Sequence, residues 1–219
     1  KWIELSLEKR RELVSALVRH CMSLGVGYEE IKRMAGECYI LLQEEEGTEK
    51  RDAMEFSTLL NATARYDEAE VGLKVCFGDE KAFSRARTLL QNHRKNLSDG
   101  LKLVEEIGIK ELKNIQFFHA GKDIKDTIVG IVAGMSLVKN PRKPIVAFAE
   151  NEEGIKVSAR ANYRLVEKGL NLGKAIKIAS EKVGGSGGGH SVAAGALIPQ
   201  GSEEKFLELF DNLVGEQLK

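Results

Sequence analysis

Hydrophobic residues recur at helical spacing through residues 1–107 of the chain. Ser6 is placed to cap the first helix of this region. Further helices are predicted to begin at Thr48 and near Asp67, and a short extended segment at residues 38–43 precedes them. The apolar stripes of the first two helices contain Leu13, Leu17, Cys21 and Leu24, and Ala53, Phe56, Leu60 and Ala64.

The longest predicted helix runs from Asp79 to about Ile107. Its apolar side chains recur at heptad-like intervals, at Phe83, Ala86, Leu90, Leu97, Leu101 and Val104. A helix of this length typically joins two domains or packs along a partner. We interpret it as a connector between domains, and a surface helix of one compact domain is the alternative.

The periodicity changes after Gly108, where short extended segments alternate with helices. The strands are predicted at residues 115–119, 145–149 and 155–161 and directly after the glycine-rich segment, and the helices at 127–138, 172–183 and 203–217. This alternation predicts an α/β fold with a mixed sheet for residues 108–219. We therefore expect a helical region over residues 1–107, followed by an α/β domain.

The most informative segment is residues 184–196, which read GGSGGGHSVAAGA. Five glycines and one serine precede a single histidine, His190, and small apolar residues follow directly. Ordering glycine costs more backbone entropy than ordering other residues, so such a run is typical of places where the backbone approaches a ligand closely. We predict a glycine-rich loop whose backbone N–H groups form a phosphate-binding nest, with His190 at its rim.

Two other interpretations fit the same segment. A flexible Gly/Ser linker is the first, but apolar sequence continues up to Pro199 and a helix follows, which places the segment inside a domain. A nucleotide-binding P-loop is the second, because Gly184, Gly189, His190 and Ser191 have the GxxxxGK[ST] spacing with histidine in place of lysine. That loop should follow a strand and open a helix, whereas this segment follows a predicted helix.

Charge and cysteine content narrow the function classes. Lys and Arg number 33, as do Asp and Glu, so the formal net charge is zero and a broad basic DNA-coating surface is not expected. Cys21, Cys38 and Cys76 are widely spaced and suggest neither a disulfide framework nor a zinc site. We find no signal peptide and no apolar run of membrane-spanning length, so we expect a cytoplasmic protein without membrane contact.

The residues GGGHSVAAG at 187–195 resemble the GGGHxxAAG signature of the DHH-associated domain. This is the substrate-binding module that accompanies the DHH phosphoesterase core in RecJ-type exonucleases, oligoribonucleases and related phosphatases. The segment IKVSARA at 155–161 resembles the strand before the glycines in that module, where an arginine reaches the nucleic acid. The segment EFSTLLNATAR at 55–65 resembles the end of the RecJ nuclease core, most closely in the archaeal form that accompanies the GINS replication complex.

The resemblance implies the substrate-binding part of a single-strand-specific exonuclease that acts in DNA replication or repair or in RNA processing. The family holds two divalent ions, manganese or magnesium, in an Asp/His cluster, but the four histidines here have no such context. We therefore expect no catalytic or metal-binding residue in this chain and no activity from it alone. Because Lys1 is not a start methionine, we expect a longer enzyme with an N-terminal DHH catalytic domain. The partners that the resemblance implies are that domain, single-stranded DNA or RNA, and the GINS replication complex.

The candidate binding residues come from these three segments. Alternate side chains of a strand share a face, so Ser158 and Arg160 should point together, and a guanidinium suits bidentate phosphate contact. Asn61 and Arg65 are four residues apart and share a helical face. The alternatives are that Arg160 is an ordinary solvent-facing strand arginine and that Asn61 and Arg65 are an ordinary surface pair. The residues expected to bind nucleic acid are Ser158, Arg160, Gly187, Gly188, Gly189, His190, Asn61 and Arg65.

Other functions within reach of the same motifs stay open. One is a phosphoesterase of the same superfamily that acts on short oligonucleotides or cyclic dinucleotides. Another is a replication scaffold without catalysis, and a third is the glycine-containing C-terminal module of alanyl-tRNA synthetase. The NATAR segment at residues 61–65 and the long connector favour the RecJ interpretation.

Overall fold

The computed structural model describes residues 2–219, apart from the side chain of Ile3. The chain divides into two compact units. The first comprises the residues up to Ala64 together with 69–86, and the second comprises 65–68 and 87–219. The division therefore falls inside the long helix, whereas the sequence places a domain boundary at its end.

The regular elements of the first unit are mainly helices. After a 3-10 helix at Trp2–Glu4, its helices are α1 (Leu7–Ser23), α2 (Tyr28–Lys32), α3 (Ala53–Arg65) and α4 (Ala69–Cys76), followed by the first turns of α5 (Glu80–Ile107). As expected, Ser6 caps α1, because its hydroxyl accepts the backbone N–H of Lys9 at 3.3 Å.

Two local predictions for this unit are met only in part. The predicted extended segment at residues 38–43 contributes one isolated bridge, between Ile40 and Asp52. The second predicted helix begins at Ala53 rather than at Thr48, since the carboxylate of Asp52 accepts the N–H groups of Met54 and Glu55 and so caps its first turn.

The second unit contains a six-stranded sheet. Its elements in chain order are β1 (Lys110–Glu111), β2 (Gln116–His119), α6 (Asp126–Ser136) with a 3-10 turn at Leu137–Lys139, β3 (Ile145–Asn151), β4 (Gly154–Arg160), α7 (Tyr163–Glu167), α8 (Leu172–Lys182), β5 (Ser186–Gly189), β6 (Ala193–Ile198) and α9 (Glu203–Gln217). The strand order is β1-β2-β3-β4-β6-β5, and only β2 and β3 are parallel neighbours. The predicted α/β fold with a mixed sheet is confirmed.

The two faces of the sheet are covered to different extents. One face packs on α8 and α9 through a continuous apolar cluster that includes Val157, Ala196, Ile176 and Phe206. The other face packs on α6 and the end of α5, and among the described residues this second cluster takes members from β2 and β3 but none from β5 or β6. A β-carbon at Gly188 would meet no atom within 4 Å, so the second face of β5 is open at this residue.

The glycine-rich segment is not a loop. Ser186–Gly189 form the edge strand β5, which pairs antiparallel with β6 along its whole length. The turn between them is fixed by its backbone, because the N–H of His190 donates to the carbonyl oxygen of Ala193 at 2.8 Å and the N–H of Leu172 donates to that of Ser191 at 3.0 Å. The predicted loop conformation is therefore wrong, and phosphate binding by the backbone N–H groups of this segment stays a prediction.

Candidate nucleic-acid interface

A floor of very small residues occupies the second face of β5 and β6. The register places Gly188 opposite Gly195, and Gly195 opposite Ser158 of β4. Residues directly opposite one another in a sheet share a face, so Gly188, Gly195 and the next residue of that face, Ala193, lie side by side. We call these three residues the small-residue floor. All three are partly exposed, whereas Ala194 and Ala196 of the opposite face are buried.

The glycines of β5 differ in what surrounds them. A β-carbon at Gly187 would lie 2.6 Å from Cβ of Ala196 and 2.8 Å from Cγ2 of Ile176, so this glycine lets α8 approach the sheet. A β-carbon at Gly188 would have no atom within 4 Å. Gly189 has a φ of +141°, which a residue with a side chain rarely adopts. Only Gly188 of the three thus faces open space without a backbone requirement for glycine.

Arg160 ends β4 beside the floor. It pairs with Ala193 of β6, so β6 lies between Arg160 and β5. The expectation that Arg160 stands directly next to the glycines of β5 is therefore wrong by one strand. Its Nη1 donates to the carbonyl oxygen of Ala159 at 2.8 Å, and its guanidinium lies against α6 at Gly130. The shared face of Ser158 and Arg160 is confirmed, because both side chains approach Gly130.

Arg65 is brought to the same end of α6. Its Nη1 donates to the carbonyl oxygen of Thr127 at 2.7 Å, and Oγ1 of Thr127 donates back to the carbonyl oxygen of Arg65 at 3.1 Å. Burial, and next the positive charge of Arg65, lower the pKa of the Arg160 guanidinium below its usual value. Because arginine stays protonated in proteins, the result is two fixed like charges near one another, an arrangement that an anion would stabilise.

His190 begins the turn between β5 and β6. Its residue is exposed, and its carbonyl oxygen accepts the N–H of Gly173 at 3.1 Å. The first N–H groups of α8 are therefore bonded to the hairpin turn. An anion bound beside the turn between β5 and β6 would accept a hydrogen bond from the imidazole of His190, which can donate from either ring nitrogen.

The remaining candidates lie elsewhere. Asn61 is exposed on α3 in the first unit. Ser158 is only 6% exposed, because α6 covers it. Sequence reasoning missed His93 on α5, which is 6% exposed and has a buried Nδ1 without a hydrogen-bond partner. It also missed Gly130 and Gly134 on α6, whose four-residue spacing in an apolar helix was the available signal.

The described residues do not offer a metal centre or a membrane span. Across residues 2–219, no group of three or more His, Cys, Asp or Glu side chains is placed to hold a metal ion. None of the helices in that range is both long and apolar enough to cross a bilayer.

The chain is similar to known proteins. The DHHA1 domain family matches residues 113–216. An uncharacterized protein of Methanocaldococcus jannaschii, MJ0831, is 37% identical over 169 residues, which are 77% of this chain and 37% of that protein. The chain thus spans little more than a third of this curated relative.

Solved structures share the fold. RecJ from Thermus thermophilus in complex with Mn2+ matches with a TM-score of 0.62 at 19% identity, over 75% of this chain and 24% of that one. An exonuclease RecJ bound to manganese matches with a TM-score of 0.59 at 20% identity, over 74% of this chain and 40% of that one. Residues 113–216 therefore match the DHHA1 domain family, and the chain shares the fold of RecJ over about three quarters of its length.

Proposed function

We propose that this chain holds single-stranded nucleic acid by its phosphates and is the substrate-binding part of a RecJ-like exonuclease. One observation carries the proposal: the small-residue floor is open and is flanked by Arg160 on one side and by the turn of His190 on the other. Gly187 and Gly189 help to hold β5 in place, Gly187 through its close packing against Ala196 and Ile176, and Gly189 through its positive φ.

The shape of the floor favours a flexible strand. Because Gly188, Gly195 and Ala193 have at most a methyl side chain, a sugar–phosphate backbone can approach the sheet closely. A rigid duplex cannot bend into such close contact without a cost in deformation energy. The zero net charge gives little long-range attraction for a duplex, so local contacts must supply the affinity.

The divalent-metal chemistry would reside outside these residues. We propose that the manganese or magnesium ions of the complete enzyme are held by a DHH catalytic domain, as the resemblance of residues 187–195 to the DHH-associated domain implies. In that protein, residues 108–219 would deliver the strand, and the region 1–107, with Asn61 and Arg65, would complete the catalytic side. Association with a GINS-type replication complex stays a prediction of the resemblance.

The binding proposal is tested by fluorescence anisotropy with a labelled single-stranded oligonucleotide. Removing Arg160 with Arg160→Ala should weaken binding about ten- to a hundredfold, the range expected for a charge-assisted hydrogen bond. The matched control is Lys177→Ala, which removes one positive charge from an exposed position on α8, across the sheet. Equal affinities for the two variants would contradict the proposal.

A further inference from the structure

The side chain of Arg160 lies along α6 past Gly134 and Gly130, in a slot that depends on the missing side chain of Gly130 alone. A β-carbon at Gly130 would lie 3.1 Å from Cζ of Arg160 and closer still to its Nη2. It would also lie 3.1 Å from Oγ of Ser158. A β-carbon at Gly134 would lie 3.8 Å from Cγ of Arg160, an ordinary van der Waals distance.

These contacts give the direction of the side chain. Its aliphatic part passes Gly134 and its guanidinium reaches Gly130, one turn nearer the start of α6. Thr127 is three residues further toward that start, and there the guanidinium of Arg65 is bonded. The slot therefore aims the Arg160 head group toward the Arg65 head group.

We propose that Gly130 is a positioning residue, whose missing side chain sets the Arg160 guanidinium beside Arg65 so that both bind one phosphate of the strand. The inference rests on the proposed nucleic-acid binding. Each guanidinium group is planar and can donate two parallel hydrogen bonds to phosphate oxygens. Their mutual repulsion is relieved when the phosphate binds, which ties the geometry of the slot to affinity.

The fold should accept a methyl group at Gly130. The colliding atoms belong mainly to the far end of a flexible arginine side chain, so Arg160 can move away while the backbone stays in place. Alanine also has a higher helix propensity than glycine by about 1 kcal/mol in a helix interior. Gly130→Ala should therefore fold at least as stably as the parent chain and still bind less well.

The test measures a single-stranded, fluorescein-labelled oligo(dT) probe by anisotropy with four variants of this chain. Gly130→Ala should lose about tenfold or more in affinity, as if a charge-assisted contact were removed. The matched control Gly134→Ala should bind like the parent chain. In the Arg160→Ala background, Gly130→Ala should cause no further loss, because the group it displaces is already absent.

Parental affinity in Gly130→Ala, an equal loss in Gly134→Ala, or an undiminished loss in the Arg160→Ala background would each overturn the inference. A second readout does not depend on nucleic acid: solvent exchange of the Arg160 Nε–H, assigned by its disappearance in Arg160→Lys. Exchange should be slow in the parent chain and in Gly134→Ala, and at least tenfold faster in Gly130→Ala. An unchanged exchange rate in Gly130→Ala would refute the claim that Gly130 positions the Arg160 guanidinium. Altered exchange in a chain that does not bind the probe would instead refute the proposed function.

Discussion

Arg160 and His190 lie on either side of one residue, Ala193. Arg160 pairs with Ala193 across β4 and β6, and the backbone N–H of His190 donates to the carbonyl oxygen of the same residue at 2.8 Å. Two strand spacings, about 10 Å, therefore separate their backbones. Arg160 in turn extends toward α6 and Arg65. We infer that His190 and Arg160 bind neighbouring phosphates rather than one.

This separation predicts the behaviour of a double variant. Arg160→Ala and His190→Ala should each weaken oligonucleotide binding about ten- to a hundredfold. Groups this far apart without a shared partner add within about 0.5 kcal/mol, so the double variant should show the product of the two losses in an anisotropy titration. A double variant that binds as well as either single one would mean that both side chains serve the same phosphate.

The adjacent glycines of β5 should respond in opposite ways to valine. Gly187→Val places its side chain against Ala196 and Ile176, and overpacking of this kind costs about 1–3 kcal/mol. A β-carbon at Gly188 would meet no atom within 4 Å, so the stability of Gly188→Val should stay within about 0.5 kcal/mol of the parent chain. Chemical denaturation of both variants measures the difference.

Binding gives the complementary result. Gly188→Val should lose single-strand affinity although it folds, because the valine side chain would project from the small-residue floor into the space that the strand occupies. Folded Gly188→Val with parental affinity would show that the strand does not lie on β5, and the floor would then have no part in binding.

Acid should destabilise the second unit through His93. Burial, and next the charge of Arg65, lower the pKa of this histidine below its ordinary value of 6.5. As the pH falls below about 6.5, the unfolded chain takes up the proton first, so stability is greatest above that pH and decreases toward the lower folded-state pKa. One such group contributes a slope of at most about 1.4 kcal/mol per pH unit.

His93→Phe is the matched variant for this effect. It keeps an aromatic ring near Tyr66, whose centroid lies 6.0 Å away, and removes both the titration and the buried Nδ1 without a partner. Denaturation curves between pH 7 and pH 5 should be less pH-dependent in the variant. The same pH dependence in both proteins would assign the acid sensitivity to other groups.

Metal ions should not turn this chain into a nuclease. The described residues 2–219 contain no cluster of three suitable ligands. Incubation of the purified chain with labelled single strands and Mn2+ should therefore leave the strands intact, and Mn2+ should not raise the melting temperature, since an ion that does not bind the native state cannot stabilise it. Cleavage that copurifies with the chain and depends on Mn2+ would disprove this.

Periodicity was sufficient where one face of an element is buried. Helix α9 has its predicted bounds, Glu203–Gln217, because Phe206, Phe210 and Val214 recur on its inner side. The β3–β4 hairpin was equally predictable, since buried apolar side chains mark both of its strands.

The sequence did not predict β5. Glycine is depleted in strands, so Ser186–Gly189 resemble a loop in composition, and they form a strand only because β6 and α8 accept a backbone without side chains. Nor does a single sequence specify that β6 lies between β4 and β5. The distance from Arg160 to the glycines depends on that strand order, which is why the sequence placed them one strand too close.

The preference for single strands over duplex is the most direct test of the account. Matched fluorescent single- and double-stranded probes of one sequence should be titrated with this chain across a salt series. Single strands should bind more tightly and largely without regard to base sequence, and the affinity should decrease with salt at the shallow slope of only a few phosphate contacts, each contributing about 0.7 to the slope. Equal or tighter binding of the duplex, or a steep slope that indicates many phosphate contacts, would contradict a small-residue floor made for one flexible strand.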